Sequence, residues 1–264
     1  MAAKMVYESF FVDDGLIGAD SIVEAIHSRK EMQELFAKGG FLLRKSNYNV
    51  LQVLESIEPD LIDTQEVHTI SDPDLEYTKT LGLERNVRSD CFCITVSKTL
   101  STSNLTKCTL VSNIAKVFDV LGLFSSTTIK IKILLQRLWE SKVGWDELAP
   151  AYITEVWLRW ESELKSLSGF RVPRYYFPEI THLHRLQLHG FSDASEDAYV
   201  AVVYFRSQDL NGTIGTSIVL AKSRVAPIER LSIPRLKLCG ALMLSQLLHY
   251  LKNLLKLSIS QVYA

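Results

Sequence analysis

Three groups of side chains in this sequence have types and spacings that could do chemistry. Asp13 and Asp14 stand together after the apolar run Val6-Tyr-Glu-Ser-Phe-Phe-Val12, so a hairpin would carry both at its tip. Adjacent acids there form a hard oxygen site that can hold Mg²⁺ against a nucleotide triphosphate. Asp-Asp-Gly is equally plain turn chemistry, which is its ordinary meaning without context. Asp193 lies in His189-Gly-Phe-Ser-Asp-Ala-Ser-Glu-Asp197, near the end of a strand that enters a polar turn. Metal-assisted phosphodiester hydrolysis needs several carboxylates converging on two cations, and one Asp does not supply them. His182, His184 and His189 have a spacing that could ligate a metal. Alternation along a strand puts them on mixed faces with no cysteine nearby, so they read as surface histidines.

The elements that must position Asp193 are legible. An apolar return strand runs from Tyr199 to Phe205, and further strands are expected near Leu186–Ser192 and Gly215–Ser223. A long helix follows from Ser232 as cap, with Pro234 in its first turn and leucines at 236, 238, 242, 244, 247 and 248. A last strand begins at Ile259. Toward the N-terminus, Val6–Gly18 reads as strand, two-acid turn and short return strand. Ser21-x-x-Glu24 reads as a capping box for a helix that Gly39-Gly40 ends, and Phe41–Asn47 as a strand. The acidic, turn-rich stretch from Val50 to Thr80 reads as one short helix plus a loop. From Thr106 to Ser166 the pattern is helical, broken at Gly122, with Leu110, Val111, Ile114, Val117 and Phe118 on one face and Ile129, Ile133, Leu134, Leu138 and Trp139 on another. The four tryptophans of this region read as packing residues.

The chain has 264 residues, 47% apolar and 22% charged, with formal net charge -1, which fits a soluble globular protein with room for two or more domains. Charge is uneven along it. Glu55–Asp90 holds ten acids and three bases, whereas Ser207–Ala264 holds seven bases and two acids, so only the C-terminal part has an electrostatic reason to sit on phosphates. Four cysteines without a C-x-x-C pair fit a reduced, cytoplasmic setting, with no targeting signal and no span long enough for a membrane.

Gly190-Phe-Ser-Asp-Ala-Ser195, with Ile233-Pro-Arg-Leu-Lys-Leu238, resembles the ribonuclease H portion of BEL/Pao-type retrotransposon polyproteins, also called Pao retrotransposon peptidase. The most specific match is Val117-Phe-Asp-Val-Leu-Gly-Leu-Phe-Ser125 with Thr128-Ile-Lys-Ile-Lys-Ile-Leu-Leu-Gln136. The resemblance implies an α+β chain in three parts. Residues 1–100 would be a reverse-transcriptase palm remnant of the DNA/RNA polymerase superfamily, with an Asp13-Asp14 hairpin and primer-grip-like strands. Residues 101–185 would be a helical thumb or connection, and 186–264 a truncated ribonuclease H-like α/β domain with a mixed sheet. Lys45 would fall at a motif-D lysine, and Arg85 stands where the family's primer-gripping hairpin carries Trp.

The resemblance also implies Asp193 and a helix Glu as Mg²⁺ ligands. Here Lys237 stands where the Glu is expected, and an ion pair to Asp193 is the expected local outcome. The family's third catalytic Asp, the earlier palm Asp and the fingers are not in the sequence. The chain therefore reads as an internal piece of a larger polymerase and ribonuclease H, inactive in isolation, with Asp13, Asp14 and Asp193 as vestigial ligands and no functional Mg²⁺. The parent enzyme's partners would be an RNA/DNA hybrid or template-primer, in the cytoplasm and, at integration, the nucleus. Two other readings stand beside this one. An aspartic peptidase would need Asp-Thr-Gly or Asp-Ser-Gly, and neither occurs, Asp63-Thr64-Gln65 being nearest. A non-catalytic nucleic-acid-binding module would use Lys222, Arg224, Arg230, Arg235 and Lys237.

Overall fold

Alternation, clearest along the second of its strands, and two tight turns give the C-terminal part its sheet. Strands β7 (Leu183–Ala194), β8 (Ala198–Asp209) and β9 (Ile214–Val225) form an antiparallel meander, and β10 (Gln261–Tyr263) pairs parallel with β7, giving the order β10-β7-β8-β9. In the computed structural model the described residues are 2–11, 14–44, 46–58, 61, 77–80, 83–87, 89–93, 104–117, 119–178, 180, 182–255 and 257–264. They form a mixed α+β chain that divides into two compact units, Met1–Phe92 and Cys93–Ala264.

The β7–β8 turn closes through Ser195, whose N–H donates to the Ala198 carbonyl (2.8 Å) and whose Oγ accepts from the Ala198 and Asp197 amides. Asp209 closes the β8–β9 turn by accepting from the Asn211 and Thr213 amides at 2.8 Å, beside Gly212 at φ 86°. Helix α7 (Ile233–Leu254) crosses β7 and β8 on one face of the sheet. Leu236, Met243, Leu244, Leu247, Leu248 and Leu251 of α7 are buried, most of them against Leu186, Leu188, Ala201, Val203 and Phe205. Each such side chain contributes about 1.5–3 kcal/mol over its exposed state. Pro234 lies in the first turn as expected. Ser232 holds the N-cap position, but its hydroxyl makes no capping bond, and only its carbonyl engages the helix, accepting from Leu236 N (3.0 Å).

Helices α4 (Lys107–Ala115), α5 (Ser125–Glu140) and α6 (Ala151–Ser166) build a second core in the same unit. Thr106 and Thr109 cap α4 reciprocally. The buried side of α5 is Thr128, Ile131, Leu134 and Leu138, with Trp139 exposed. Leu134 and Leu138 are thus buried as expected, Ile129 and Ile133 are only half-buried, and Thr128 and Ile131 join the buried face. Trp157 and Trp160 are buried in this core, and the Trp160 indole donates to the Thr127 carbonyl at 2.9 Å. A short strand β6 (Arg171–Pro173) leads on toward β7.

The helical layer covers the outer edge of the sheet. Gly122, at φ 68°, lies so close to Ala221 that an added Cβ would stand 1.9 Å from its carbonyl oxygen. The Ala221 amide donates to the Leu121 carbonyl at 2.9 Å, and Gln136 Nε2 donates to the Ala226 carbonyl at 2.7 Å. An edge strand left bare would offer such groups to other chains; here α5 and its preceding turn occupy them.

In the first unit the N-terminal strand is not formed. Ala2–Ser9 is helix α1, packed on α2 (Ile22–Lys38), and only β1 (Phe10–Phe11) and β2 (Asp14–Gly15) make the hairpin. Ala2, Ala3, Lys4 and Met5 are good helix formers, and their propensity outweighs the apolar run that follows. The Ser21 hydroxyl accepts from Glu24 N, but the Glu24 carboxylate reaches Asp20 N, one residue earlier than a full capping box. Phe41–Arg44 is not a strand either: Phe41 and Leu42 are exposed, and a single bridge stands at Ser46. Without a partner strand, apolar residues alone do not make a ladder. Helix α3 (Leu51–Leu54) is the short helix, followed by β3 (Tyr77–Thr80), its antiparallel partner β4 (Leu83–Asn86) and β5 (Cys91–Cys93). Asp13, Lys45 and the Asp63-Thr64-Gln65 triplet lie outside the described residues.

Candidate functional site

Asp193 is the next-to-last residue of β7, opposite Val200 of β8. Two glycines set how near α7 comes to it. Gly190 lies under Leu244, and Gly240 lies where an added Cβ would meet the Asp193 and Val200 carbonyl oxygens at 3.4 and 3.5 Å. One turn before Gly240, the helix presents Lys237, whose Nζ stands 3.5 Å from Asp193 Oδ1. Both side chains are exposed, 61% for Lys237 and 74% for Asp193. The Ala194 backbone N–H, then the charge and hydrogen bond of Lys237, hold the Asp193 carboxyl below the usual aspartate range.

This arrangement does not fit a pair of divalent ions. Mg²⁺ seeks several oxygens in a near-octahedral shell. Asp193 offers one carboxylate, already turned to an ammonium, and among the described residues no three His, Cys, Asp or Glu side chains converge. A cation at position 237 repels a second cation brought to the same carboxylate.

A meander of three antiparallel strands, a long helix crossing it and a fourth strand returning parallel beside the first is consistent with a ribonuclease H-like α/β domain. The sequence agrees: the model of the family described as Pao retrotransposon-like RNaseH-like domain matches residues 106–264. The chain belongs to this family. No curated protein matches it. The Pao-type match begins at Thr106, so it takes in α4, α5 and α6 with the sheet, in line with the way α5 seals the β9 edge. Membership relates the chain to retrotransposon polyproteins.

The remaining residues singled out in this Pao-type chain lie in several places. Lys222 and Arg224, two apart on β9, are exposed and line one groove of about 740 Å³ between β9, the Asp119–Gly122 turn and α7. Arg230 is exposed in the loop before α7, and Arg235 on its first turn. Arg137 of α5 reaches Asp197 in the β7–β8 turn at 3.2 Å. Asp14 is exposed on β2, opposite Phe11, in the other unit; Phe10, which stacks near Phe36 at 5.1 Å, ties that hairpin to α2. His182 and His184 are exposed, while His189 is half-buried and stacked on Tyr263 at 4.7 Å.

Sequence reasoning missed one group. Arg185, Gln187, His189 and Phe191 alternate along β7 with the core residues Leu186 and Leu188. Gln187 and Gln261 meet at 2.8 Å, Arg185 also bonds Gln261, and Arg206 donates to Gln187 at 3.2 Å. The period-two polar pattern was visible; the pairing with β10 that completes the group was not.

Proposed function

We propose that this chain is a part of a retrotransposon polyprotein, related to RNA-directed DNA polymerase and ribonuclease H, whose ribonuclease H-like centre does not cut. The observation that carries the reading is the Lys237 ammonium, 3.5 Å from the one acid that the strand presents. The carboxylate is held by a protein cation, and divalent Mg²⁺ is not bound functionally. The first unit is read as derived from a polymerase palm, supported by the order of hairpin, α2 and paired strands, with Asp13 and Asp14 as vestiges.

What such a domain retains is a surface for nucleic acid. Four exposed bases, Lys222, Arg224, Arg230 and Arg235, on a C-terminal part that is itself basic, favour docking of an RNA/DNA hybrid through its phosphates. The peptidase reading has no such support, because the Asp-Thr-Gly and Asp-Ser-Gly triplets are missing from the sequence.

The test is incubation of the purified chain with a labelled hybrid in Mg²⁺ or Mn²⁺. The expected result is retention without cleavage, weakening steeply with salt. Cleavage of the RNA strand that disappears in Asp193→Asn would contradict it.

A further inference from the structure

Helix α7 crosses β7 and β8, and β9 beside it forms the floor of a groove of about 740 Å³ whose walls are α7 and the Asp119–Gly122 turn. These elements belong to one unit, and the groove lies at the β9 edge of the sheet, the opposite edge from β10. It is a concavity between packed elements, within the range of about 300–1,000 Å³ that small-molecule sites occupy. Register shows what points into it. Lys222 pairs with Ala201 and Arg224 with Tyr199, and Ala201 and Tyr199 pack in or against the core under α7, so both cations turn to the face that α7 covers.

The groove is cationic at one end and aliphatic at the other. Gly240 of α7 lies against the Val200 carbonyl, and Val200 pairs with Ser223, so the start of α7 is level with Lys222 and Arg224. Lys132 joins them from α5, one turn before Gln136, which bonds the Ala226 carbonyl just past β9. Leu247, Leu251 and Leu254 line the groove further along α7, roughly 10–21 Å beyond Gly240. Among the described residues none of the three cations stands at ion-pair distance from a carboxylate. Asp119 is the acid of the groove, and it faces its own turn: Oδ2 accepts from Phe124 N at 3.0 Å and Oδ1 is buried. Positive charge therefore outweighs negative where a polar head would sit. An anion with a flexible apolar chain complements both ends. A bare phosphate leaves the leucines uncovered, and a duplex has no chain to lay on them.

We propose that this groove binds an amphiphilic anion, a carboxylate or phosphate head on an aliphatic chain. The head sits on Lys132, Lys222 and Arg224, and the chain lies along Leu247, Leu251 and Leu254. The site goes beyond the proposed hybrid docking and does not rest on it, although Lys222 and Arg224 would serve both.

The experiment is titration calorimetry of the full chain at low salt with decanoate and with decyl phosphate, against inorganic phosphate and adenosine monophosphate. The variants are Lys132→Gln, Leu254→Gln, and a combined Arg230→Gln and Arg235→Gln variant. Lys132 and Leu254 are exposed, so their replacement leaves the fold intact, checked by circular dichroism. Both decyl compounds are expected to bind, the tighter of them naming the head group, and the two compounds without a chain to bind at least about tenfold more weakly. Affinity is expected to fall roughly tenfold in Lys132→Gln and about threefold in Leu254→Gln, and to survive in the combined variant. Four results would overturn the proposal: no binding of either decyl compound, unchanged binding in Lys132→Gln or in Leu254→Gln, equal binding of inorganic phosphate or the mononucleotide, or a dimer in sedimentation that Leu254→Gln abolishes. Loss of hybrid retention in the combined variant, with decyl binding intact, bears on the docking surface alone.

Discussion

Lys237, in the first turns of α7, stands 3.5 Å from Asp193, at the end of β7, and the close seat of Gly240 on the two strand carbonyls puts it there. A helix tethered by a glycine delivers whatever residue precedes it by one turn to the strand acid. The identity of that residue decides between a cation site and an ion pair.

Reversing the charge tests that statement. Lys237→Glu replaces attraction by repulsion at Asp193. Mn²⁺ affinity measured by calorimetry is expected to rise about tenfold over wild type. Equal affinity would mean that position 237 does not govern the site.

The titration of Asp193 gives a second check. Its folded-state pKa is depressed, so its contribution to stability is present above the ordinary aspartate pKa and is lost as pH falls through the folded value. In Lys237→Met the carboxyl midpoint followed by NMR is expected to move part of the way back up, because the Ala194 N–H remains. An unchanged midpoint would show that the ammonium does not engage the acid in solution.

Asp119 behaves in the opposite sense. Burial pushes its carboxyl up, against hydrogen bonds from Phe124, Leu123 and Gly122, and Oδ1 is buried without a partner. A raised folded pKa gives stability that is full below the ordinary pKa and lost as pH rises through the folded value. Asp119→Asn keeps an acceptor for the Phe124 N–H, which lies 3.0 Å from Oδ2, and carries no charge. It is expected to match or exceed wild-type Tm at neutral pH, while Asp119→Ala loses about 1–2 kcal/mol. Equal losses in both would contradict this assignment.

Gly122→Ala tests the docking of the helical layer on β9. The added methyl collides with the Ala221 backbone, and the backbone there has positive φ, so a loss of at least about 2 kcal/mol in chemical denaturation is expected. A loss below about 0.5 kcal/mol would show that the turn does not sit on the strand.

Much of this was open to reading from the sequence where local signals and tertiary demands agree. Pro234 and the leucine spacing announced α7, and alternation announced β8 and β9 with boundaries moved by a few residues. Val6–Ser9 and Phe41–Arg44 were misread because an apolar run does not say whether a partner strand exists. Ile131 was missed because the buried side of α5 is set by α6 and β9, not by the spacing of its own residues. The polar face of β7 joins Gln187 to Gln261, 74 residues apart, and only the parallel pairing of β10 brings them together. For Asp193, the residue types at 193 and 237 were legible, but their 3.5 Å separation required the glycine seat.

The most direct test is paramagnetic broadening of the Asp193, Ala194 and Lys237 resonances during a Mn²⁺ titration of the intact chain. An ion pair in place of a metal site predicts only weak, unsaturable broadening that salt removes. Saturable broadening centred on Asp193 at micromolar Mn²⁺, with the Lys237 side chain displaced, would contradict it.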